Sequence, residues 1–255
     1  MSRPRRGAAL VTGGAIRLGR ELALALARAG YDIALHYFSS EEEAEQTRRE
    51  IEAFGVRCEL FGFDLSDTPA LPTWMAAVAV RMGNLEVLVN SASGYTQATI
   101  ADTESDDFDQ LFALNLKAPF FLIQAFARQV QRGNIINILD NKIAYNQFSY
   151  AAYLLSKKGL AELTRMAALE FAPAIRVNGI APGVTLPAES RSADYLQWRI
   201  EAIPLQRKGE GDHIAQALLQ LLANDFITGQ ILVVDGGEGI AHVGRNAGAY
   251  HPAKV

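Results

Sequence analysis

Residues 8–37 read AALVTGGAIRLGRELALALARAGYDIALHY, and this stretch decides the fold. A short apolar run, AALV (8–11), enters the glycine-rich turn TGGAIRLG (12–19), and a second apolar run, YDIALHY (31–37), closes the unit. The segment between them is ambiguous by periodicity alone. Leu22, Leu24 and Leu26 alternate as in a strand, while Leu22, Ala25, Leu26 and Ala29 share one helical face. Length, a composition rich in Ala, Leu, Glu and Arg, and Gly30 as a stop predict a helix. A strand, a helix and a strand in this order form a crossover unit, which joins parallel strands.

The same alternation continues outward. VRCELFGF (56–63), LEVLVN (85–90), NIINIL (134–139), IRVNGI (175–180) and ILVV (231–234) are further apolar runs separated by helical patterns. They predict an α/β domain with a seven-stranded, mostly parallel, doubly wound sheet covered by helices on both faces. No Pro/Gly/Ser-rich linker divides residues 1–255, so one domain is expected. Ser40 followed by Glu43 has capping-box spacing and opens a helix at about residue 41. The acidic stretch Asp102 to Asp109 suits a solvated helix start. Segments 106–131 and 150–171 are long and rich in Ala, Leu and Phe, as expected of helices that bury an apolar face against a second subunit. Residues 238–255 lack periodicity and are expected to be mobile or docked on a neighbour.

Composition narrows the function classes. The chain is 49% apolar, carries a formal net charge of −4, and has one cysteine, Cys58. This balance disfavours a nucleic-acid surface, and a lone cysteine with four scattered histidines offers no metal cluster. No stretch of eighteen unbroken apolar residues occurs, so a soluble, cytoplasmic protein acting on a small molecule without a membrane partner is expected.

Two places carry chemistry. The turn TGGAIRLG leads a strand into a helix, so backbone amides at the helix start face a ligand above the sheet edge, as a pyrophosphate requires; Gly13 and Gly19 let turn, helix and ligand approach closely. Further on, Tyr153 and Lys157 stand four apart in YLLSK and share a helical face. At about 4 Å and an effective dielectric near 20, the ammonium would favour phenolate by roughly 4 kcal/mol and bring the phenol near neutral pH.

TGGAIRLG, LVNSAS (88–93), Asn115, YLLSK, APG (181–183) and DGG (235–237) resemble, in order and spacing, the short-chain dehydrogenase/reductase family over nearly the whole chain. The resemblance implies a Rossmann-type domain that binds a nicotinamide dinucleotide and moves hydride, and it favours a homo-oligomer, a tetramer. It implies Tyr153 as proton donor, Lys157 on the nicotinamide ribose and Asn115 supporting a relay water. It places Gly13, Arg17, Leu18, Gly19, Pro182 and Gly183 around the cofactor, Asn90, Ala92 and Ser93 at the adenine ribose, and Asp64 and Leu65 at the adenine. Asp64 also suits a helix cap. An NAD enzyme carries an acidic residue just after the second strand, and HYFSS (36–40) has none. His36, Tyr37, Ser39 and Ser40 therefore favour NADPH, although Glu41, Glu42 and Glu43 would repel a phosphate if they faced it.

Two departures from the family pattern stand out: Arg17 replaces its middle glycine and Asp140 its catalytic serine. Both resemble the pteridine reductases, as does Ser93-Gly94-Tyr95, where Tyr95 would sandwich a pterin against nicotinamide. The expected substrate is thus a dihydropterin or dihydrofolate contacted by Arg17, Ser93, Tyr95, Asp140 and Tyr153. An ionised carboxylate cannot donate to a developing oxyanion, so Asp140 disfavours ordinary ketone reduction; it suits relay of a proton to the nitrogen of a C=N bond. Two other readings stay open: Asp140 as a strand-end turn residue, and Arg17 as a solvated arginine on the first helical turn. Trp198, in the 184–203 segment that forms the lid in this family, suits either the lid or the core.

Overall fold

The computed structural model describes residues 6–186, 191–241, 245 and 250. Among them, strands β1 (Ala8–Val11), β2 (Asp32–Tyr37), β3 (Cys58–Gly62), β4 (Leu85–Asn90), β5 (Gly133–Ile138), β6 (Ile175–Pro182) and β7 (Ile231–Val234) form one sheet. Its order is β3-β2-β1-β4-β5-β6-β7 and every pairing is parallel. Each apolar run of the sequence thus forms a strand in its place. The order reverses between β1 and β4, which opens a crevice at the carboxyl ends of the strands.

Strand parity builds the two cores. Ala9, Val11, Ile33, Leu35, Val87 and Val89 face one side, against α1 (Arg17–Arg28), α2 (Glu41–Glu52) and α8 (Gly211–Ala223). Ala8, Leu10, Ala34, Leu88 and Ile135 face the other, against α3 (Leu71–Met82), α5 (Ala118–Gln129) and α6 (Ala151–Phe171). A fully buried Leu, Ile or Val contributes about 1.5–3 kcal/mol, so both layers are strongly held. Helix α1 buries Leu22 through Ala27 without a break because the sheet, α2 and α8 enclose it. That enclosure is why its leucines read like a strand.

Local chemistry differs from expectation in three places. Ser40 precedes α2 as predicted, yet its side chain makes no capping hydrogen bond; three glutamates in the first turn serve the helix dipole instead. The segment predicted as one helix over 106–131 is α4 (Ser105–Phe112) and α5, joined by a π-turn at Ala113–Lys117. Residues Ser105–Gln129 are long and apolar enough to cross a membrane by length and composition, but Leu122, Ile123 and Phe126 are core residues here. Finally, the described tail positions dock on their own chain. After α9 (Glu238–Ala241), Arg245 lies over the Trp198 ring and pairs with Glu201, and Tyr250 packs against Tyr195 and Trp198 of α7 (Ala193–Ile200). The remaining tail positions fall outside the described residues. Trp198 is half-buried in this outer cluster and belongs to neither the core nor the cleft wall.

Candidate active site

The crevice is a cleft of about 800 Å³. At one end, Gly13 turns the chain with φ 61° and donates its amide to His36 Nδ1 at 3.0 Å. A Cβ on Gly13 would come within 3.0 Å of Ala92 Cα, and one on Gly19 within 2.0 Å of the Gly13 carbonyl oxygen. Only glycine fits either place. Helix α1 then begins with no side-chain cap and no acidic residue in its first turn. Uncapped amides at a positive helix end fit a diphosphate, and thus a dinucleotide. Gly13, Arg17, Leu18, Gly19, Tyr37, Ser39, Ser40, Asp64, Leu65, Ala92, Ser93, Pro182 and Gly183 all line the cleft as expected.

Two cofactor assignments need correction. His36 lines the cleft, but both its nitrogens are committed, Nδ1 to the Gly13 amide and Nε2 to the Phe63 carbonyl at 3.0 Å. Burial lowers its pKa to about 4, so it is a neutral strut under the glycine turn and not a phosphate ligand. Asn90 does not reach the cleft wall. It shares the parity of Leu88, points into the helix layer, and donates to Asn137 Oδ1 at 2.8 Å, which in turn donates to Thr164 on α6. Asp64 lines the cleft and caps no helix: its Oδ1 accepts from the amide and hydroxyl of Ser66.

At the other end lie the reactive groups. The Tyr153 hydroxyl donates to Asp140 Oδ2 at 2.9 Å, while Asp140 Oδ1 accepts from the Lys142 amide at 2.8 Å. Asp140 is therefore both a turn residue and a partner of the phenol. Lys157 donates to the Ile138 carbonyl at 2.9 Å rather than to the phenol. The expected acidification of Tyr153 is thus reversed: burial, then the charge and hydrogen bond of Asp140, hold its pKa well above the usual tyrosine value. Burial also lowers Lys157 to about 8, partly countered by Asp140. A carboxylate in place of a hydroxyl makes this phenol a firmly protonated donor.

Asn115 is fully buried in the π-turn, and its side chain faces away from the cleft wall. Its Oδ1 accepts from the Gly94 amide and the Ser93 hydroxyl; its Nδ2 donates to the Gly94 carbonyl and to Ser156 Oγ. It ties the loop after β4 to the helix that carries Tyr153 and Lys157. That loop presents Tyr95, whose ring meets Tyr153 edge-on at 4.8 Å and Tyr150 at 5.1 Å. The result is an aromatic wall beside the Tyr153–Asp140 pair.

Arg17 is the exposed first residue of α1, as the second reading expected, and it also lines the cleft. It leaves the glycine turn in the left-handed region at φ 51°, and its Nη2 donates to the Leu186 carbonyl at 2.6 Å. It bridges the cofactor turn and the segment that crosses the cleft. Two residues that no motif marks, Lys142 and Arg199, complete the far wall, with Glu238 behind them. Glu238 pairs with Arg199 at 2.5 Å and accepts from Asn141 at 3.0 Å. Only Lys142, two places after Asp140, gave a sequence signal that could have been followed.

Comparison with known proteins agrees with this geometry. Residues 14–238 match the family model described as enoyl-(acyl carrier protein) reductase. Over 238 residues the chain is 34% identical to the uncharacterized oxidoreductase YohF of Escherichia coli (strain K12), covering 90% of this chain and 94% of that one. It is also 34% identical over 238 residues to 3-oxoacyl-(acyl-carrier-protein) reductase FabG of Staphylococcus aureus (strain Mu50), covering 90% and 96%. Among solved structures, FolM alternative dihydrofolate reductase 1 from Brucella suis, in complex with NADP, superposes with a TM-score of 0.88 at 31% identity, covering 92% of this chain and 96% of that one. Acetoin dehydrogenase from Enterobacter cloacae gives 0.84 at 33% identity, covering 94% and 98%.

Proposed function

The chain belongs to the short-chain dehydrogenase/reductase family of NAD(P)-dependent oxidoreductases, and from that membership we propose that it is an NADPH-dependent reductase of the C=N bond of a dihydropterin or dihydrofolate. The observation that carries the reading is the 2.9 Å hydrogen bond from Tyr153 to the Asp140 carboxylate. The similarity to the Brucella suis dihydrofolate reductase, which holds NADP, supports it. So does the absence of an acidic side chain among Tyr37, Phe38, Ser39 and Ser40 at the end of β2.

The turn Gly13–Gly19 and the start of α1 would hold the diphosphate, Ser39 and Ser40 the adenine ribose end, and Lys157 the nicotinamide ribose. When bound, the cofactor supplies hydride. Tyr153 keeps its proton at Oη until a substrate nitrogen takes it. A phenolate left beside the ionised Asp140 would be costly, so a proton from solvent would return to Tyr153 by way of the Asp140 carboxylate as the phenol gives one up. Asp140 ends as the carboxylate and Tyr153 stays neutral. Tyr95, with Tyr150 behind it, offers a flat face to a planar ring.

A second reading, reduction of a carbonyl, is favoured by the 34% identity to the Staphylococcus aureus FabG. One assay separates them: NADPH oxidation with dihydrobiopterin, dihydrofolate and a panel of ketones, for the parent and Asp140→Ser. The pterin reading expects pterin turnover by the parent and its loss in the variant. Pterin turnover that survives the change, or ketone turnover alone, overturns it. We also propose a homo-oligomer: Leu155, Met166 and Leu169 of α6, Phe120 of α5 and Leu232 and Val233 of edge strand β7 are exposed apolar residues suited to contact with further copies.

A further inference from the structure

Buried polar side-chain atoms seldom lack a hydrogen-bond partner in a folded protein. Here both Nε and Nη1 of Arg199 lack one, and Arg199 lines the substrate end of the cleft. Arg199 is 3% exposed, lines the cleft from α7, and spends only Nη2, on Glu238. Beside it Lys142 lines the same wall, with its ammonium 5.1 Å from the centre of the Tyr150 ring. Tyr150 in turn packs behind Tyr95 with ring centroids 5.1 Å apart, so Lys142 and the Tyr95 platform share one end of the cleft.

The local carboxylates do not satisfy these donors. Asp140 serves Tyr153 and the Lys142 amide, and Asp235 serves the amides of Gly237 and Gly239 and the side chain of Asn141. Among the described residues Lys142 forms no ion pair. Burial lowers the pKa of Lys142, opposed by the charges of Asp140 and Glu238 and reinforced by those of Arg199 and Arg191. The unspent groups at the cleft wall are two N–H bearing atoms of a guanidinium and an ammonium, donors that suit an oxyanion.

We propose that the substrate carries a carboxylate, received at the far end of the cleft by Lys142 at the wall and Arg199 behind it. This rests on the reading of the cleft as the seat of a planar nitrogen heterocycle. It makes the anionic group, and not only the ring, a determinant of specificity.

The test uses the full chain loaded with NADP+ and two ligand pairs, pterin-6-carboxylate against 6-methylpterin and 4-carboxybenzaldehyde against benzaldehyde, with binding measured by calorimetry. The charged member of a pair is expected to bind about tenfold more tightly. In Arg199→Gln, and independently in Lys142→Gln should the first variant unfold, the ratio of charged to neutral affinity is expected to fall to near one. Absence of a charged preference in both pairs, or variants that weaken both members by one factor and leave the ratio unchanged, would overturn the carboxylate site. If neither pterin binds while 4-carboxybenzaldehyde keeps its advantage, the heterocycle reading falls and the anion site stands.

Discussion

Asp140 Oδ2 receives the hydroxyl of Tyr153 at 2.9 Å, so the residue that replaces a neutral hydroxyl is itself the nearest charge to the proton donor. Lys157, one helical turn on, is turned to the Ile138 carbonyl. Because Asp140 acts on the phenol both through charge and through the hydrogen bond, Asp140→Asn is expected to lower the Tyr153 pKa, read by ultraviolet difference titration. Loss of the relay is expected to slow pterin turnover by about 10²-fold or more. A Tyr153 titration unchanged in the variant would contradict the coupling.

Lys157 is buried and its pKa is lowered to about 8. Its positive charge is present below that value and is lost as pH rises through it. NADPH affinity is therefore expected to decline between about pH 7 and 9, and in Lys157→Gln the affinity should be weaker and flat over the same range. Fluorescence titration of the nicotinamide reads both.

His36 has a folded-state pKa of about 4 against an ordinary value of 6.5. The unfolded chain therefore binds the proton first, and stability present above pH 6.5 is lost as pH falls towards 4, by on the order of 3 kcal/mol. Urea unfolding across that window should show the slope, and His36→Gln should flatten it. An identical slope in the variant would assign the acid sensitivity to other groups.

Arg17 holds a left-handed conformation that costs an L-residue roughly 1–2 kcal/mol. Arg17→Gly is expected to relieve about 1 kcal/mol of this in urea unfolding while removing the donor to the Leu186 carbonyl, so stability rises as the substrate KM rises. A variant that is less stable than the parent would show that the bridge outweighs the strain.

Asn115 joins Ser93 and Gly94 to Ser156 with four hydrogen bonds. Asn115→Ala leaves the buried Ser156 hydroxyl and the partly buried Gly94 backbone groups unmet, at a cost of about 3 kcal/mol. Because Tyr95 and Tyr153 are the elements it aligns, kcat is expected to fall more than cofactor affinity. Equal losses in both would indicate a general loss of structure.

The strands were legible because each apolar run is bounded by turn residues or a helical pattern, and the Tyr153–Lys157 pair because four residues return to one helical face. Asp140 was legible as a departure from a familiar pattern. What each charged group touches was not. The Ile138 carbonyl that takes Lys157 lies 19 residues away on β5, and Glu238 reaches Arg199 across 39 residues; such pairings are set by how α6, α7 and α9 pack. Asn90 was misplaced although a signal existed: it shares the strand parity of Leu88, which sends it into the helix layer where Asn137 and Thr164 wait.

The docking of Glu238, Arg245 and Tyr250 against α7 sets an order of assembly during synthesis. The dinucleotide crevice is bounded by segments that leave the ribosome early, whereas Glu238, which clasps Arg199 and Asn141, and Tyr250, which backs Trp198, emerge after every other part of the cleft. A nascent chain halted before Glu238 would possess the nucleotide half of its pocket with the substrate wall still unbraced.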